Sequence, residues 1–208
     1  GAVQAQDYMG ALYAVGLRVR AATQAGVEQA IAGKQIVRTW PMRGTIHFVA
    51  PENVQWMLKL LASRAVALSQ GSYRRVGLND EAFAIGRKVL LKELEGGRQL
   101  TRPELYQALE AAGIRQGIER RGLYVLGYWA QRGLICFGPH RGKQPTFTLL
   151  DEWIPAGRDL QGDEALAELA QRYFVSHGPA TLKDLAWWAG LPLSAARRGL
   201  AAVQSELV

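Results

Sequence analysis

Apolar positions recur at two spacings along this chain, and the spacing changes sort it into elements. Val3, Ala11, Leu12, Val15 and Val19 form one stripe at helical spacing, so residues 4–20 read as a helix. Residues 25–34 read as a second helix. Pro51 opens a third, since a missing amide donor costs little in a first turn. Val54, Met57, Leu58, Leu61, Ala65 and Leu68 then carry its apolar face. Residues 70–75 are polar, contain Gly71 and Arg74-Arg75, and predict a loop, with a unit boundary near Leu78-Asn79-Asp80. Between the helices the period drops to two. Thr45-Ile46-His47-Phe48-Val49 alternates like a strand with one buried face, and Arg43, Thr45 and His47 would project together from the other. A solvated edge strand fits the same pattern. Pro41 fits poorly inside a helix or a central strand, and Gly44 permits a turn.

An internal repeat follows at an offset of 80 residues: Thr101-Arg102-Pro103-Glu104-Leu105 matches Thr181-Leu182-Lys183-Asp184-Leu185. Each is a Thr with an acid three residues on, the capping-box pattern. An amphipathic stretch and a glycine break precede each copy: Phe83, Val89, Leu90 and Leu94 before Gly96-Gly97, and Leu166, Leu169, Ala170, Tyr173 and Phe174 before Gly178-Pro179. A further helix follows each, over 118–131 and 193–204, giving the layout of a helix-turn-helix. After the first copy, residues 134–137 and 146–150 alternate around a tip of Gly, Pro and cations at 138–145, which predicts a β-hairpin. The fold class expected is therefore mainly α with small β-hairpin wings, arranged as tandem winged helix-turn-helix units. In such a unit the third helix suits a major groove and the wing suits the backbone. Arg141 and Lys143 at the hairpin tip are candidate phosphate contacts.

Composition sharpens this. The chain has 208 residues, is 49% hydrophobic and carries a net charge of +7, with no apolar run long enough to span a bilayer. The charge is uneven: residues 1–79 hold nine Lys/Arg against three acids, 80–150 eleven against seven, and 151–208 five against eight. Arg120, Arg121, Arg132, Arg141 and Lys143 lie in a stretch, 120–150, without an acid. A basic front and an acidic tail point to a polyanion site on the first two-thirds. Cys136 is the single cysteine, which excludes an internal disulfide and a multi-cysteine zinc site. His47, His140 and His177 lack metal-ligand spacing, so no metal is expected. No Ser-His-Asp or Cys-His set and no Gly-rich phosphate loop stands out. Trp187-Trp188, Tyr124, Tyr128 and Trp129 could stack on bases but suit a core better. No basic-then-apolar leader is visible, and one cysteine fits a reducing compartment, so a cytoplasmic, monomeric protein is expected. The chain opens at Gly1 rather than Met and stops where a third wing should begin, as expected of a piece of something longer.

Several stretches together resemble one family. Val3-Gln4-Ala5-Gln6-Asp7, Arg38-Thr39-Trp40-Pro41-Met42-Arg43-Gly44-Thr45-Ile46-His47, Cys136-Phe137-Gly138-Pro139 with Gln144-Pro145-Thr146-Phe147, and Gly178-Pro179-Ala180-Thr181 with Asp184, Trp187 and Trp188 resemble the tandem winged-helix family that contains the DNA glycosylases AlkZ and YcaQ. The resemblance implies three units: 1–79, which would contain the catalytic motif; 80–155, with the basic wing; and 156–208, cut before its wing. It implies that Gln4-Ala5-Gln6 matches the family's catalytic Gln, apolar, Gln-or-Asp motif, with Gln4 and Gln6 as catalytic residues. Taken alone, Gln-Ala-Gln is two solvated amides, and glutamines two apart do not share a helix face. They could both point into a site only if this segment is not helical. Asp7 is expected to cap the helix that follows. Arg38, Arg43, Thr45 and His47 would line the DNA-binding concavity with them. The activity implied is hydrolysis of the N-glycosidic bond of alkylated or crosslinked purines, with double-stranded DNA as partner and no cofactor. A winged-helix binding protein or regulator without catalysis is the alternative.

Overall fold

Strand pairing, not the helical stripe, organises the start of the chain. The computed structural model describes residues 1–115, 117 and 120–207. It opens on a short strand, β1 (Ala2–Gln4), and helix α1 (Tyr8–Gly16) begins only four residues later. The predicted helix over 4–20 is thus corrected at both ends. Main-chain groups before Tyr8 are taken by a distant strand: Ala5 donates its N–H to the Ile46 carbonyl at 2.7 Å. Helix α2 (Gln24–Ala32) follows, its N-cap Thr23 accepting from the Gly26 N–H at 3.1 Å. Strands β2 (Val37–Met42) and β3 (Thr45–Val49) form the first hairpin. Helix α3 (Pro51–Met57) then passes through a π-helical segment, Leu58–Ala62, into α4 (Ser63–Arg75). The loop predicted over 70–75 is therefore the last turns of α4. Tyr73 is buried there and meets Phe83 edge-on at 5.1 Å, so core packing outweighs the cost of Gly71. The break comes just after, at Gly77 (φ 71°).

Helix α5 (Asp80–Leu94) starts on Asn79, which accepts from the Ala82 N–H at 2.9 Å. Then come β4 (Leu100–Thr101), α6 (Arg102–Ala111), α7 (Arg121–Gln131), the hairpin β5 (Ile135–Arg141) and β6 (Gln144–Leu149), and short α8 (Leu150–Trp153). The helix predicted over 118–131 is described from Arg121 on; Ile118 lies outside the described residues. Helices α9 (Gly162–His177), α10 (Leu182–Ala189) and α11 (Leu193–Val203) close the chain. Both capping boxes form. The Glu104 carboxylate accepts from the N–H and hydroxyl of Thr101 at 2.6 and 2.7 Å. Asp184 does the same for Thr181, both at 2.7 Å.

The result is a mainly helical protein around a small antiparallel sheet. Among the described residues the strand order is β1-β3-β2-β5-β6-β4, so the two hairpins join edge to edge through the Arg38–Phe137 pair. Alternate residues then build two cores. Phe48, Phe137 and Phe147 face one that includes Leu12, Ile31, Phe83, Leu105 and Leu126. Val37, Val49 and Cys136 face the other, with Val54, Trp56, Leu169, Tyr173 and Leu185. This corrects the edge-strand reading of residues 45–49: β3 lies between β1 and β2, and both of its faces are covered. Pro41 sits where the β2–β3 register shifts, between Thr39 and Met42. A bulge of this kind tolerates a residue with no ladder donor, and it turns Met42 to the second core.

Candidate active site

The site is built on the outer strand β1. Gln4 is its last residue; beyond it Ala5 is fully buried, while Gln6, in the bend before α1, is exposed like Gln4. The segment is not helical, which leaves both amides at the same sheet edge. Ala5 is held from two directions. Its N–H donates to Ile46, and its carbonyl accepts from Arg38 Nη2 at 2.9 Å and Nε at 3.3 Å. Gln6 Oε1 accepts from the Ile46 N–H at 3.2 Å, which fixes which end of the amide faces the sheet. Gln4 makes no side-chain hydrogen bond among the described residues and stands beside His47 across the β1–β3 pairing. Asp7 occupies the N-cap position of α1, but its side chain makes no capping hydrogen bond, so the capping role expected of it is corrected.

The residues predicted to line the same concavity divide. Thr45, His47 and Gln4 share one face of the sheet, with Gln6 at its edge. Arg38 lies on the other, 7% exposed, with its guanidinium 4.4 Å from the Phe137 ring centre and 5.1 Å from that of Tyr8. Burial lowers its pKa to about 10, still a cation at neutral pH. Its hydrogen bonds go to the Ala5 carbonyl, so here it holds the Gln4-Ala5-Gln6 backbone. His47, expected beside it in the concavity, is also buried. Burial depresses its pKa to about 4. Its Nδ1–H donates to the Thr45 carbonyl at 3.0 Å, which makes it a neutral ring with Nε2 as an acceptor. Thr45 is half-buried, its hydroxyl 3.4 Å from the Met42 carbonyl.

Arg43 does reach outward. It sits in the two-residue β2–β3 turn with φ 53°, followed by Gly44 at 69°. Its guanidinium lies 5.1 Å from the Trp187 ring centre. Sequence patterning placed Trp187 in the core; it is 75% exposed, and its neighbour Trp188 does the packing, against Tyr173 at 5.1 Å and His177 at 5.5 Å. Tyr124, Tyr128 and Trp129 pack as expected, Tyr128 stacking on Phe83 at 3.9 Å. At the far hairpin Arg141 donates to both Glu104 oxygens, at 2.8 and 3.1 Å, and to the Gln99 carbonyl. It is therefore engaged within the protein while its side chain stays half exposed. Lys143 is exposed in the turn beside it. Cys136 is fully buried, which pushes its thiol far up and away from nucleophilic use. Among the described residues no cluster of His, Cys, Asp and Glu is placed to hold a metal, and no helix is long and apolar enough to cross a membrane.

A sheet edge that presents two neutral amides, on a basic helical scaffold, is a site suited to steering water and positive charge rather than to covalent attack. The chain belongs to the AlkZ-like DNA glycosylase family, whose model, described as DNA glycosylase AlkZ-like, matches residues 1–208. It is 32% identical over 198 residues to the interstrand DNA cross-link repair glycosylase of Streptomyces sahachiroi, covering 91% of this chain and 52% of that protein. The solved structure of Streptomyces sahachiroi DNA glycosylase AlkZ matches it with a TM-score of 0.79 at 30% identity, over 100% of this chain and 58% of that one. The chain thus spans about half the length of these relatives.

Proposed function

We propose that the protein is a monofunctional DNA glycosylase that hydrolyses the N-glycosidic bond of N-alkylated purines in double-stranded DNA, crosslinked purines included. The observation that carries this reading is the pair of exposed amides at the β1 edge of the sheet, with the residue between them bonded from both sides. An N-alkylated purine leaves as a neutral base from a cationic one, so the reaction needs little acid help and, in this reading, no cofactor or metal. What it needs is a placed water and tolerance of an oxocarbenium-like sugar. Amide carbonyl oxygens can orient the one and stabilise the other. Gln4, whose amide has no internal partner among the described residues, takes the water. Gln6 keeps a lone pair and its amide protons beyond its bond to Ile46, and faces the sugar. No strong general base stands in the motif, so turnover is slow and confined to reactive lesions.

The finer architecture belongs to this reading too. Units 1–79, 80–155 and 156–208 are taken as winged helices. The second supports this best, since its order α5-β4-α6-α7-β5-β6 returns β4 to pair with β6. The protein acts as a cytoplasmic monomer, with its basic first two units on DNA. Liberated methylated purine, measured from methylated duplex DNA, tests the reading. Base release is expected, and it should fall about 100-fold or more in Gln4→Ala and Gln6→Ala. Tight, salt-sensitive binding with no base release would leave a winged-helix binding protein instead.

A further inference from the structure

The molecule carries an aromatic surface that the glutamine edge does not account for. Trp187 is the large side chain most at odds with its surroundings: 75% exposed, on the outer face of α10, with Lys183 exposed one turn before it. Arg43 covers one face of its ring at 5.1 Å, and the exposure leaves the other face in solvent. Arg43 adds two observations. Its Nε is buried and has no hydrogen-bond partner, where a buried donor ordinarily has one. Its backbone is left-handed at φ 53°, a conformation that is strained for a residue with a side chain. The hairpin tolerates this strain at the position where the side chain bridges the sheet to α10. The fit is close on the α10 side too: a Cβ placed on Gly190, its left-handed C-cap, would come within 2.9 Å of Arg43 Cγ.

From this geometry we infer that Arg43 and Trp187 form a nucleotide platform: the open face of Trp187 takes a base that has left the duplex stack, and Arg43 and Lys183 take its phosphates. Stacking on an aromatic ring is indifferent to base identity, and cations on either side match the backbone charge. The acidic third unit then takes part in binding, because it supplies the aromatic half of a site whose cationic half comes from the β2–β3 turn. Ile46, which holds Gln6, follows that turn by two residues in β3, so the platform lies on the same hairpin as the proposed catalytic edge. The inference rests on the glycosylase reading only in taking DNA as the ligand.

The test uses single-stranded oligo-dT, which needs no chemistry, with tryptophan emission and anisotropy as readouts. The wild-type protein should bind with quenching. Trp187→Ala should weaken binding about tenfold and abolish most of the quenching. Trp187→Phe should keep the affinity and lose the quenching. Arg43→Gln should weaken binding and lower the salt slope by about one. Unchanged affinity and quenching in Trp187→Ala would overturn the platform and assign the exposed ring to a protein contact. Separate assays keep the two readings apart. Release of methylated purine from duplex DNA with a silent Trp187 would sink the platform alone. Trp187-dependent binding with no base release would sink the glycosylase reading alone.

Discussion

The two ends of the sheet are built from the same parts and finished differently. Each is a hairpin with a short third strand laid along its outer edge: β1 beside β3 at one end, β4 beside β6 at the other. At the β4 end the polar groups close on one another. Thr101 donates twice to Glu104, and Arg141 binds the same carboxylate. At the β1 end they do not close. Gln6 gives one lone pair to the sheet, Gln4 gives nothing among the described residues, and the interior bonds fall on the backbone of Ala5. Residue type alone favours Arg141 over Gln4 as a functional group. The proposed reading weighs instead which polar atoms the fold has already satisfied, since a satisfied group has little left for a ligand.

The contrast can be broken in several ways, beginning with the largest effect. His47 supports the open end as a neutral buried ring. The unfolded chain takes up its proton near the ordinary value of 6.5 and the folded chain only near 4, so acid favours unfolding between those limits. Its contribution is present above pH 6.5 and is lost as pH falls toward 4, up to roughly 3 kcal/mol. Denaturant titrations at pH 7 and pH 4.5 should show this loss, and His47→Gln should flatten it; equal pH dependence in both proteins would remove His47 from the account.

Next comes Arg38→Met, which removes two charge-assisted bonds to Ala5 and should cost roughly 2 kcal/mol of stability. Base release should fall while duplex affinity changes less than about threefold. A large loss of affinity with normal release would restore Arg38 to the DNA surface. Smaller again is Thr181→Ala, which opens one capping box and should lower the melting temperature by about 2–4 °C without touching base release. Smallest is Arg141→Gln at the closed end, expected to change duplex affinity less than about twofold. A salt slope reduced by a full unit would mean that Arg141 leaves Glu104 for phosphate.

What the sequence disclosed about these ends follows from range. Signals carried by neighbouring residues were readable: the capping pairs at Thr101 and Thr181, the Arg43-Gly44 turn, and the alternation of β3, β5 and β6. Signals that depend on distant partners were not. β1 exists because Ile46 and His47 pair with residues some 40 positions earlier, and the stripe from Val3 to Val19 conceals it. Alternation in β3 suggested a single buried face, because nothing local distinguishes His47 over a second core from His47 in water. Tyr73 outweighed Gly71 through contacts with α5 and α7 that no window around it contains. Trp187 and Trp188 are adjacent and alike in sequence, and only the packing of Trp188 on Tyr173 shows which of them is left outside. The glutamines were legible through family resemblance; their place at one sheet edge required the strand.

The most direct measurement is single-turnover release of a methylated purine from duplex DNA by Gln4→Ala, with duplex affinity determined in the same samples. A rate at least about 100-fold below wild type at unchanged affinity is the predicted result. A rate within a few-fold of wild type would contradict the assignment of the chemistry to the open edge.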